Sequence, residues 1–156
     1  MEEKTNISSG GNMLSFATIM LLAGIGIPIM AAMTSSLAKH LSSPVAASAF
    51  AFFIAFCIAL LALMITDKSF VKQIPSAPKY LFVAGAFIAF YVLSISFIAP
   101  HFGVGNAIFF VLLGQLLSAA IIDHYGLFGA QINHLSIMRV SGILAMVFGV
   151  WLTQNA

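Results

Sequence analysis

Few side chains in this sequence can do chemistry, and most of them sit inside long apolar runs. Gln115 lies within Leu113-Gly114-Gln115-Leu116, where its amide needs partners from another helix, a ligand or water. Ser118 follows at i+3, and Tyr91 with Ser94 makes a second i, i+3 pair on one helix face. Thr34, Ser35 and Ser36 crowd together in a third run. Hydroxyls and an amide can hydrogen-bond a small polar solute, so Thr34, Tyr91, Ser94, Gln115 and Ser118 are the candidate substrate-binding residues. Gln115 has a second reading, as glue between helices. No nucleophile–base pair accompanies these residues, so no enzymatic activity is expected.

The string Ile122-Asp123-His124-Tyr125-Gly126 closes the run that holds Gln115. Asp123 is read in two ways. It is either a partner for Arg139 or a titratable group at the mouth of a pathway, with His124 as a second proton acceptor. Asp123, His124 and Arg139 are therefore candidates for proton coupling or gating. Gly24-Ile25-Gly26-Ile27-Pro28 places two glycines and a proline mid-run. Proline removes a helix hydrogen bond and clashes with the preceding turn. Gly24, Gly26 and Pro28 thus mark either a kink or a helix break of the kind that lines transporter sites. His40, His101 and His134 share no metal-ligand spacing, and Cys57 stands alone in FFIAFCIALL. No metal and no cofactor are expected.

What must position these residues is set by composition. Of 156 residues, 62% are hydrophobic and 6% charged, and six basic with four acidic side chains cannot coat a soluble globule. A soluble domain carries about 25% charged residues. The mean hydropathy of +1.11 puts most of the chain in lipid. A net charge of +2 with no basic patch excludes a nucleic-acid partner.

A crossing needs about 20 apolar residues. Charge-free intervals give spans near 13–38, 45–66, 80–99 and 104–122, after a polar N-terminal tail over 1–12, and a last apolar span runs over about 137–153. Asp67 ends the second span beside Lys68, and Pro100-His101-Phe102-Gly103 splits the third from the fourth. No run alternates as a barrel strand does, and the first is too long and too acidic at its flank for a cleaved signal. The fold class is all-α: one bundle of five transmembrane helices. Small residues at four-residue spacing offer packing seams within it or between subunits: Ala47, Ala51, Ala55 and Ala59; Gly85 and Ala89; Gly114 and Ser118; Ser141, Ala145 and Gly149.

The strings LAKHLSSPVAASAFAFFIAF, GAFIAFYVLSISFIAPHFGVGNAIFFVLLGQLLSAAIIDHYGLFG and RVSGILAMVFGV resemble the five-helix YdcZ-like branch of the drug/metabolite transporter superfamily. The resemblance runs from about Gly24 to Trp151. It implies half of an inverted-repeat transporter, completed by a homologous five-helix unit of opposite orientation or by an antiparallel homodimer. One departure stands out. Members commonly carry asparagine where this chain has Thr34, which implies a different substrate or fewer hydrogen bonds to it.

Lys4, Lys68, Lys72, Lys79 and Arg139 fall on one side of such a bundle and Lys39 alone on the other. Lys/Arg bias over short loops sets topology, so a cytoplasmic N-terminus in a bacterial inner membrane is expected. The leading function is secondary transport of a small organic solute. Its alternatives are proton-coupled export of lipophilic cations, resembling the small multidrug resistance family, and a non-transporting membrane subunit. The first span lacks the carboxylate that cation export uses in that family.

Overall fold

The computed structural model describes residues 2–66 and 68–154, with side chains described except over 2–12 and 68–69, so Asp67 lies outside the described residues. Among the described residues there are five α-helices and no strand: α1 (Glu2–Leu41), α2 (Pro44–Ile65), α3 (Ala84–Phe102), α4 (Val104–Tyr125) and α5 (Ile137–Gln154). Short 3-10 turns at Lys68–Ser76 and Lys79–Val83 lead into α3, and one at Leu127–Gly129 follows α4. Five stretches are long and apolar enough to cross a membrane: Met13–Leu41, Pro44–Ile65, Lys79–Phe102, Val104–Tyr125 and Ile137–Gln154. The protein is an all-α, multi-pass membrane bundle.

Local chemistry explains most of the boundaries. Ser42 adopts φ 51° between α1 and α2, and Ser43 caps α2 by accepting the Ala46 N–H at 3.2 Å, with Pro44 at the first helical position. Gly126, at φ 61°, ends α4 and returns its N–H to the Ile122 carbonyl. A Cβ at Gly126 would come within 2.7 Å of Ile132 Cγ1, so the position needs glycine for both reasons.

Two expectations are corrected. The turn expected over Pro100–Gly103 shrinks to Gly103, because α3 runs through Pro100 to Phe102. A proline in the last turn removes only one hydrogen bond, and the reversal falls on Gly103, whose φ of 90° glycine alone adopts readily. The break considered at Gly24, Gly26 and Pro28 takes no unwound form, since α1 is helical across all three. Glycine permits a helix as well as a break, and membrane helices tolerate an internal proline.

The chain divides into two compact units, residues 1–101 and 102–156. In the first unit, α1 packs on α2. Buried positions on α1 are Ala31, Thr34, Ser35 and Ala38, spaced i, i+3, i+4 and i+7. On α3 they are Val92, Ile95, Ser96 and Ala99 at the same spacing, and on α2 Ala47 and Ser48. Small side chains dominate, as close helix approach in lipid requires. Ser96 Oγ donates to its own Val92 carbonyl at 2.6 Å, so its lone pair receives the Ser48 hydroxyl at 2.9 Å and links α2 to α3. The expected Ala47 ridge packs at its start only, for Ala55 and Ala59 are exposed. Gly85, Gly114 and Gly149 also face open space.

In the second unit, α4 and α5 are clamped at both ends. Gln154 Nε2 donates to Asn106 Oδ1 at 3.0 Å at one end, and Arg139 pairs with Asp123 at the other.

Candidate functional site

The first unit holds three of the candidate substrate residues, in unequal states. Thr34 is buried and its hydroxyl donates back to the Met30 carbonyl at 2.8 Å. Its proton is committed, leaving an acceptor lone pair. Ser94 is half-buried beside the fully buried Ser96, one face further round α3. Tyr91 differs from both, because its hydroxyl is shut away from solvent and has no hydrogen-bond partner. An unpaired buried hydroxyl costs about 1–3 kcal/mol. Such a group persists where something other than the chain itself completes it.

The second unit holds Gln115 and Ser118 on α4. Ser118 donates to the carbonyls of Gly114 at 2.8 Å and Gln115 at 3.1 Å, a shared bond that ties it to its own helix. Gln115 is exposed on the surface of the single chain, and its side-chain amide makes no hydrogen bond among the described residues. Its amide therefore lies open on an apolar helix, with Gly114 beside it offering no Cβ to block approach. A separate apolar groove of about 490 Å³ runs between α4 and α5, lined by Phe109, Leu112, Leu113, Ala145, Met146, Gly149, Val150 and Thr153. Gln115 does not line it.

The charged candidates are brought together at the end of α4. Asp123 Oδ2 accepts from Arg139 Nη2 at 2.6 Å, with both side chains about one-third exposed. The remaining Arg139 nitrogen, Nη1, is buried without a partner. His124 accepts the Leu135 N–H through Nδ1 at 3.1 Å, so this ring is neutral with its proton on Nε2. The His134 ring lies 5.4 Å from that of His124, and Tyr125 packs edge-on at 4.8 Å. Asn133 donates its backbone N–H to the Asp123 carbonyl at 2.9 Å. Asp123 and His124 thus hold the 126–136 connection against the end of α4.

Sequence reasoning missed Ser48 with Ser96, and Asn106 with Gln154. The signal for both pairs was a polar group inside or at the end of an apolar span, but residue type alone does not say which helix it faces. No group of three His, Cys, Asp or Glu among the described residues is placed to hold a metal ion.

No curated protein and no solved structure matches the chain. One family model does, described as "Putative inner membrane exporter, YdcZ", and it covers residues 15–152. That interval takes in all five spans, the unpartnered Tyr91 hydroxyl, Gln115 and the Asp123–Arg139 pair. The chain belongs to the YdcZ family of multi-pass inner-membrane proteins.

Proposed function

We propose that this protein is a secondary transporter that exports a small organic solute across the inner membrane. The observation that carries the reading is the buried, unpartnered hydroxyl of Tyr91 in a predominantly apolar span. Thr34 and Ser94 in the same unit supply further polar anchors, and Gln115 and Ser118 are separate candidate solute contacts on α4. The Asp123–Arg139 pair and His124 form the gate, where a proton gained by the Asp123 carboxylate weakens its tie to α5 and one gained by His124 Nδ1 frees Leu135 in the 126–136 connection. The transporter is completed by a homologous five-helix unit of opposite orientation or by an antiparallel copy of this chain. The open faces at Gly85, Gly114 and Gly149 support such a partner, since a second helix can approach closely there. The N-terminus lies in the cytoplasm. Export of lipophilic cations is less well supported, because Asp123, the one carboxylate among the spans, is already paired with Arg139.

A thermal-shift screen of purified protein against metabolites and drugs tests the reading, since a ligand that binds only the folded state raises the melting temperature. A hit should lose its shift in Tyr91→Phe. A ligand that stabilises this variant as well as the parent would remove Tyr91 from the site.

A further inference from the structure

Lys39 and His101 line a second pocket of about 360 Å³ in the first unit, together with Ala38, Pro44, Phe97 and Pro100. Among the residues whose side chains are described, the one carboxylate is Asp123, which is paired with Arg139. Among the described residues Lys39 has no ion-pair partner. Lys39 lies in the last turn of α1, where the helix dipole favours its positive charge, and His101 lies in the last turn of α3. His101 Nδ1 is 2.9 Å from the Phe97 carbonyl, which can only accept, so that nitrogen carries a proton. The Phe97 ring packs against His101 at 5.8 Å, and two prolines, an alanine and this phenyl ring form the walls.

We propose that this pocket binds the oxyanion of an anionic amphiphile, a phosphate or carboxylate on an apolar body, with Lys39 as its counter-charge and the His101 ring bounding the rim. The walls match the body and the rim matches the head. Two sources share this chemistry: the headgroup of an anionic phospholipid, and a free alkyl carboxylate. The inference stands apart from the transport reading, because it concerns a different pocket and its test involves no flux.

Native mass spectrometry of the full chain in detergent micelles provides that test, with dioleoyl phosphatidylglycerol and octanoate as probes. One saturable site per chain should appear for at least one probe. Lys39→Gln should weaken it about fivefold or more, the worth of one lysine near an anionic surface. Lys39→Arg should retain it, and Lys72→Gln, at a lysine remote in the sequence, should leave it unchanged. Displacement of the lipid by octanoate identifies a solute site that lipid can occupy, whereas lipid binding that octanoate does not compete identifies a headgroup site. Absence of saturable binding by both probes would overturn the proposal. So would equal losses in Lys39→Gln and Lys72→Gln, which would show diffuse charge attraction.

Discussion

At Tyr91 stability and binding pull in opposite directions, which gives the residue a recognisable signature. Its hydroxyl is buried without a partner, so Tyr91→Phe should raise the stability of the ligand-free protein, by about 1 kcal/mol. The same change should lower affinity for a transported solute. A melting temperature that falls, or an affinity that holds, would mean the hydroxyl is not an anchor. Gln115→Leu should insert and fold normally, because the amide makes no bond within the chain, and it should lose ligand binding. Disrupted assembly with binding intact in the residual folded protein would make Gln115 glue between subunits. Tyr91 was legible in the sequence as a polar member of an i, i+3 pair in an apolar span. The link between Ser48 and Ser96 was not, because a serine that bonds back to its own helix and one that bonds across to another read alike in sequence.

The helices were legible as elements because charge is so scarce. The intervals 4–39 and 39–67 each fitted one crossing, and 79–123 demanded two. Their ends were less legible, as Pro100 and Pro28 show: both lie inside helices, where lost hydrogen bonds matter less than the length the membrane requires. The α4–α5 pair carries its own test. Because Asp123 and Arg139 are about one-third exposed, their coupling in a double-mutant cycle with Asn and Gln should be modest, at about 0.5–1 kcal/mol. If the pair gates the pathway, Asp123→Asn should nevertheless abolish the pH dependence of transport, and chemical denaturation alongside flux measurements separates the two effects. Unchanged pH dependence in a folded Asp123→Asn protein would leave the ion pair a purely structural tie. Gly126→Ala should destabilise the same end of α4 by about 1–2 kcal/mol, since an L-residue is strained at φ 61° and Ile132 blocks its Cβ.

For the whole molecule, the membrane bundle followed from composition. The proposed second five-helix unit has no counterpart in that arithmetic; glycines that meet no neighbour and the unbonded Gln115 amide are the faces on which it would pack. The basic side chains predict one orientation. Single cysteines at Ser76 and at Ser42, introduced after Cys57 is replaced, should label from the cytoplasmic and the far side respectively; equal labelling of both from outside would favour an antiparallel homodimer. Transport itself is most directly tested by loading proteoliposomes with a solute that stabilises the purified protein and following its movement with and without a pH gradient. Saturable movement that exceeds empty liposomes and is lost in Tyr91→Phe is the expected result. Movement equal to that of empty liposomes, from protein that binds the solute and has been reconstituted together with its homologous partner, would contradict a transport function.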